Sequence, residues 1–284
     1  MTPVTARRAL LEVKNLAKSF GLGPLHQQVL VNCSFGLQPE RLTVLIGPSG
    51  CGKSTVVNIL AGYEAPDAGQ VRLLGEAVSG PSAERLVVFQ EAALFPWMTT
   101  FQNVIYGPLV QRNKAREEIE ADAVVLLERV GLKDFKDKYP SQLSGGMQRR
   151  AELARAIINN PKLMMLDEPF RGLDAMTREL MQEYFLKLYE GRKQSVFFVT
   201  SEIEEAIFLA DQLLIMSNRP GQIIKTINVD LPRPRTAEVL TSTQYLRYKD
   251  ESLEVLHSEA VKAFAEGSKA AADFLEAYAD QKQT

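Results

Sequence analysis

Residues Gly47 to Thr55 read GPSGCGKST and fit the pattern G-x-x-x-x-G-K-[ST]. Gly47, Gly50 and Gly52, with Pro48, Ser49 and Cys51 between them, let successive backbone N–H groups turn toward one anion. A helix starting at Lys53 adds the favourable end of its dipole. In that setting Lys53 reaches the β- and γ-phosphates of a nucleoside triphosphate, Ser54 ligates Mg²⁺, and Thr55 follows in the same helix start as a further nucleotide-binding position. The plainer reading is a chance glycine-rich turn. The flanks argue against it, because the motif follows the strand-like LTVLI and opens the helix-like KSTVVNILAGY, the context that such a match requires.

Two further stretches carry candidate chemistry. LMMLDEP, residues 163–169, is an apolar strand ending in two carboxylates. Asp167 suits orientation of Mg²⁺ through water, and Glu168 suits the base that polarises an attacking water. A strand-end acidic pair that merely caps the next helix is the bland alternative, which the glycine-rich loop makes less attractive. LSGGMQRR, residues 143–150, opens another helix at Ser144, Gly145 and Gly146. It offers a hydroxyl and free N–H groups to an anion. One triphosphate already has its cradle at 47–55, so a second anion-binding helix start makes sense if it serves the γ-phosphate held by another copy.

Short β-like runs (LLEVKNL, QVLVNCSFGL, RLTVLIG, GQVRLLG, RLVVFQ) fill the first third. From about Glu91 to Arg155 the character is helical, with Val124, Leu127 and Val130 at one stripe's spacing. Strand-like runs return at KLMMLDEP, QSVFFVT and DQLLIMSN, so a helical insert interrupts an α/β core. Residues 236–284 are rich in Ala, Glu and Lys, with Leu253, Leu256, Ala260 and Phe264 at helical spacing. A net charge of −2 gives no bulk argument for nucleic acid or an anionic membrane. Cys33 and Cys51 make no disulfide framework, and a reducing compartment is expected. No run of about 18 uncharged apolar residues occurs, so a membrane role must come through a partner.

Together, GPSGCGKST, Gln90, LSGGMQ, LMMLDEP and GLD at 172–174, in that order and approximate spacing, resemble the nucleotide-binding subunit of ABC transporters over roughly residues 10–235. VSGPSAERLVVFQEAALFPWMTTFQNVIYG and MSNRPGQI…LPRPR are similar to the ATPases of nitrate, sulfonate and taurine-type importers. The resemblance implies a P-loop NTPase core of α/β class, with a RecA-like mixed sheet and an antiparallel β subdomain. It further implies an ATPase domain at 8–235, a helical signature subdomain inserted at roughly 92–155, and a helical C-terminal extension at 236–284. ATP and Mg²⁺ are the implied cofactors. Each ATP is sandwiched between one subunit's loop at 47–55 and the other's Ser144–Gly146 helix. Gln90 then touches Mg²⁺ and links hydrolysis to the permease, Asp174 crosses the dimer, and Phe20 stacks on adenine. An aromatic near a strand end is otherwise ordinary core. Leu94, Phe95, Pro96 and Trp97 form an apolar cluster that either receives a permease helix or packs inside the helical lobe.

The departure from the resembled pattern is Ser201. In the family the strand after the acidic pair ends in Thr-His, and that histidine contacts the γ-phosphate and the catalytic water. Here the pair is Thr200-Ser201, and the only histidines are His26 and His257. A serine hydroxyl reaches less far and carries no positive charge. A hydrogen bond to a charged group is worth about 1.5–3 kcal/mol, or roughly 10- to 150-fold in rate if it acts only in the transition state. Hydrolysis is therefore expected to be weakened, not abolished. Either a homodimer is slow or bridges Ser201 to the phosphate by water, or the subunit pairs with an unlike ATPase in a heterodimer.

The expected partners are a transmembrane permease, a second ATPase subunit and, indirectly, an extracytoplasmic solute-binding protein, with no nucleic acid. The expected location is peripheral, on the cytoplasmic face of the inner membrane. The competing function is a soluble ABC-type ATPase acting on nucleic acid or ribosomes. That group shows two ATPase units in one chain or long coiled-coil inserts, and neither occurs here. A P-loop kinase or GTPase leaves LSGGMQ unexplained. The extension at 236–284 packs on its own core or on a partner's tail, with a regulatory contact as the further alternative.

Overall fold

In a computed structural model the structure describes residues 9–267 except 92, 113 and 193. The first layer is an antiparallel sheet of β1 (Leu11–Phe20), β2 (Gln27–Leu37), β4 (Ala68–Leu73) and β5 (Glu76–Ala77) in the order β2-β1-β4-β5. The second is a six-stranded sheet built on β3 (Leu42–Ile46), β6 (Arg85–Val88), β7 (Leu163–Asp167), β8 (Val196–Thr200), β9 (Gln212–Met216) and β10 (Ile223–Asn228). Its order is β10-β9-β3-β8-β7-β6, parallel throughout except for β10 at the edge.

Period-two burial explains why LTVLI and VFFVT are apolar throughout. Leu42, Val44, Ile46, Val196 and Phe198 face one core, while Leu45, Phe197 and Val199 face the other. Strands buried on both faces have no polar side to show. The core between the sheets holds α1 (Lys53–Ala61), which presents Val56, Ile59 and Leu60 to it.

The opposite core packs the helical elements that stand between β6 and β7: α2 (Thr100–Gln111), α3 (Arg116–Arg129) and α4 (Gly145–Ile158). On α3 the buried positions are Ile119, Ala123, Leu126 and Leu127, and Val124 is exposed. The inward stripe thus lies one residue away from that suggested by Val124, and Ala123 lets the helix approach closely.

The same core takes α5 (Ala175–Glu190) and α6 (Ile203–Leu209), and α7 (Thr243–Gly267) packs on α6. Of the apolar positions at helical spacing on α7, Leu256 packs half-buried against this core, whereas Leu253 and Ala260 are exposed. The buried positions are Tyr245, Ser252 and Glu259. Polar partners on the core explain the rotation: Glu259 accepts from Asn218 N–H at 2.9 Å, and Tyr245 and Lys249 reach Glu204. The latter part of the expected tail helix, residues 268–284, lies outside the described residues, as does the side chain of Phe264.

Asp211, between α6 and β9, ties four segments together. It accepts from Leu42 N–H at 2.9 Å, from Tyr189 Oη at 2.8 Å, and from Arg233 Nε and Nη2 at 3.1 and 2.7 Å. Burial alone pushes this carboxyl up, but the Leu42 N–H, the Arg233 guanidinium and the Tyr189 hydroxyl outweigh burial and hold its pKa below the ordinary aspartate value. A pKa depressed by folding stabilises the fold above the unfolded value, about 3.9. That contribution fades as pH falls through the folded value. Asp211→Asn is therefore expected to cost about 3 kcal/mol at neutral pH, read by denaturant unfolding. The gap to wild type should narrow once the pH drops below about 4; a gap that stays constant there would contradict the assignment.

Candidate functional site

The parallel strands bring the motif ends to one edge. Ile46 pairs with Thr200 and Asp167 with Val199, so the loop after β3, the acidic pair after β7 and Ser201 after β8 start side by side. The carboxyl edge of an open α/β sheet is where such sites form.

The 47–55 loop adopts the backbone that its glycines permit. Gly52 has φ 109°, and a Cβ there would lie 2.8 Å from Leu30 Cδ2, so a side chain meets both strain and collision. Cys51 is fully buried in the core between the sheets, where burial pushes its thiol pKa up. It is packing, not a nucleophile. No side chain caps the start of α1, and its first turn carries no acidic residue, so its N–H groups and dipole remain available to an anion.

Lys53 is 5% exposed, and its ammonium donates to Gly47 O at 2.9 Å and Pro48 O at 3.0 Å, with Glu168 Oε1 at 3.8 Å. Ser54 stands beside Asp167 and favours its charged form. Burial and the neighbouring Glu168 push the Asp167 carboxyl up, against Ser54 and Lys53. Its Oδ1 is buried with no hydrogen-bond partner. An orphaned carboxylate oxygen beside a serine hydroxyl, with the Gln90 amide on the same cavity, is the all-oxygen donor set that suits a hard cation such as Mg²⁺.

Of these residues Lys53, Ser54, Gln90 and Glu168 line a cavity of about 420 Å³, while Asp167 lies beside Ser54 outside its lining. Phe20, Ser49, Gly50, Gly52, Lys53, Ser54, Thr55, Gln90 and Glu168 line it, together with Gln27, Val29, Arg171 and Arg219. Phe20 is 42% exposed at the cavity wall, with Lys18 Nζ over its ring, 5.1 Å from the centroid. Gly47 and Pro48 contribute through their carbonyls to Lys53.

Ser144, Gly145, Gly146 and Asp174 are not in this cavity. They line a second one, of about 640 Å³, between the start of α4 and the loop into α5. Ser144 Oγ accepts from Met147 N–H and caps its own helix. Asp174 caps α5 through Thr177 N–H at 3.0 Å, and its hydrogen bonds to Thr177 hold its carboxyl below the ordinary range. A Cβ on Gly145 would meet nothing within 4 Å, so no contact among the described residues demands glycine there. Ser201 is exposed and lines neither cavity.

Several site residues carried no recognisable sequence signal. Arg219 donates from Nε to Gly50 O at 3.0 Å, tying the loop to the segment after β9 at the wall of the first cavity. Arg149 and Glu152 form a buried pair at 2.7 Å. Arg149 also donates to the Phe89 and Gln90 carbonyls, and Glu152 accepts from Ala93 N–H, so α4 is fastened to the segment around Gln90. Burial lowers the Arg149 pKa and raises that of Glu152, each opposed by its partner. The downstream cluster divides, with Leu94 buried and Trp97 70% exposed.

The sequence profile of the family described as ABC transporter matches residues 30–171. An uncharacterized ABC transporter ATP-binding protein of Methanocaldococcus jannaschii is 40% identical, covering 89% of this chain and 93% of its own. A taurine import ATP-binding protein of Roseobacter denitrificans is 44% identical over 76% of this chain and 80% of its own. Among solved structures, the dimeric post-hydrolysis state of the ATP-binding cassette MJ0796, bound to ADP and Pi, superposes with a TM-score of 0.66 at 27% identity, over 77% of this chain and 98% of that one. The mixed α/β architecture with its antiparallel sheet is that of the ATP-binding cassette. The chain belongs to the ABC transporter family of ATP-binding subunits and is an ATPase.

Proposed function

We propose that this chain is the ATP-hydrolysing subunit of an importer that drives uptake of a small solute, of the sulfonate class that taurine represents, through a separate permease. Residues 8–235 form the ATPase domain and 236–284 an extension, of which the described helix α7 packs on α6. The subunit works peripherally at the cytoplasmic face of the membrane, paired with a second ATPase subunit, and a solute-binding protein feeds the permease from the other side. Among the described residues, no helix is long and apolar enough to cross a membrane. Trp97, exposed beside the Gln90 segment, is the apolar surface offered to the permease.

The observation that carries this reading is the division of the motif residues between two cavities. One holds the loop cradle, and the other the Ser144 helix start, whose glycines meet no crowding among the described residues. ATP lies in the first cavity, with adenine against Phe20 and its phosphates on the N–H groups of residues 47–55. Lys53 leaves the Gly47 and Pro48 carbonyls for the β- and γ-phosphates. Ser54 and Gln90, with Asp167 acting through water, would hold Mg²⁺, which would supply charge neutralisation on the phosphate oxygens. Glu168 accepts the proton of the attacking water. A second subunit's Ser144, Gly145 and Gly146 close on the γ-phosphate, and its Asp174 crosses the interface.

Glu168→Gln is expected to keep ATP binding and lose turnover by about 10²- to 10⁴-fold, measured as nucleotide binding and phosphate release; turnover near wild type would remove Glu168 as the base. Because the Ser201 side chain stops short of the cavity, Ser201→His should raise steady-state ATPase of the assembled transporter by about tenfold. No gain would sink the idea that position 201 limits hydrolysis.

A further inference from the structure

Arg171 lies in the loop from β7 to α5, three residues beyond Glu168. Its N–H donates to Glu168 O at 3.1 Å, closing a tight turn, and its Nη1 donates to Glu168 Oε2 at 2.9 Å. The other carboxylate oxygen, Oε1, is the one that faces Lys53 at 3.8 Å. The two oxygens are therefore distinguished: one is held from the loop side, and the other is aimed at the phosphate cradle. Both Glu168 and Arg171 line the nucleotide cavity.

The backbone at Glu168 is already fixed. It sits at φ 44°, a left-handed conformation costly for a non-glycine residue, and its N–H is held by Val199 O at 2.9 Å. That leaves the side-chain torsions as the freedom to be removed, and a glutamate has three of them. Lys53 cannot serve as the fixed anchor, because it must move to the phosphates when a triphosphate enters. Arg171 carries no such duty. Its side chain is 59% exposed, so it is placed by its turn and by Glu168 rather than by surrounding packing. Its planar fork also gives direction as well as charge, which a lysine does not.

We propose that Arg171 is a positioning residue for the hydrolytic carboxylate. Its guanidinium holds Glu168 Oε2 so that Oε1 is presented to the attacking water. This rests on the reading of Glu168 as the base. It also places a permanent cation on the cavity wall in a chain whose Ser201 carries none.

The test uses the full chain in its assembled transporter, comparing wild type, Arg171→Gln, Arg171→Lys, Glu168→Gln and the double variant. Arg171→Gln should lower kcat about tenfold, the weaker end of a charge-assisted hydrogen bond given the exposed guanidinium. ATP affinity, measured by binding without turnover, should stay within about twofold, and the thermal midpoint should be unchanged. Arg171→Lys should recover part of the loss. In single-turnover hydrolysis, adding Arg171→Gln to Glu168→Gln should cost nothing further, since coupled residues are non-additive. The proposal is overturned if Arg171→Gln keeps wild-type kcat, if ATP affinity falls in step with kcat, or if the full loss recurs in the Glu168→Gln background. Wild-type turnover by Glu168→Gln alone would instead overturn the assignment of the base, and the proposal with it.

Discussion

A buried ammonium sets the terms for the whole site. Lys53 is nearly without solvent, and a cation in that position must be paired or neutralised. The loop that precedes it supplies two carbonyls, and Glu168 a carboxylate 3.8 Å away. In the proposed function those partners give way to a triphosphate, which offers more charge at the same place. Holding the loop in that posture needs much of the surrounding fold. Leu30 and Val29 press under Gly52, and a Cβ on Gly221 would collide with Cys51 O at 2.3 Å. Arg219, on the same cavity, donates to Gly50 O. Loop carbonyls are thereby drawn to cations, and the start of α1 keeps its N–H groups free of any side-chain cap.

The second constraint is that one chain holds only half of what its motifs describe. Ser144 and Asp174 spend their side chains on capping α4 and α5, the positions from which a helix start offers N–H groups outward. The glycine at 145 has open space around it, which a visiting phosphate would fill. Arg149 and Glu152, paired with each other within that helix, fasten it to the Gln90 segment through the Phe89 and Gln90 carbonyls and the Ala93 N–H, a short stretch away from the exposed Trp97.

The sequence makes the cradle, the acidic pair and the sandwich of layers legible because each rests on local spacing. Strands buried on both faces read as apolar runs, and the loop motif reads through its glycines. Hydrogen bonds from arginine side chains to distant backbone carbonyls have no such spacing. Arg219 meets the Gly50 carbonyl across 169 residues, and Arg149 meets the Phe89 carbonyl across 60, so neither is visible before folding. The face of α7 is misjudged from Leu253 and Ala260 for a related reason. Tyr245, Ser252 and Glu259 turn inward, two of them toward polar partners elsewhere in the fold. Ser201 is the reverse case: its departure is plain in the sequence, and the structure adds that its hydroxyl lines neither cavity while Arg171 does.

The claim on which all this depends is that Lys53 exchanges loop carbonyls for the terminal phosphates of ATP. Equilibrium binding of ATP and of AMP to wild type and Lys53→Ala measures it directly. The account predicts at least about a tenfold loss of ATP affinity, the scale of one charge-assisted contact, with AMP binding little changed and the fold intact. Equal affinity of both proteins for ATP would contradict it.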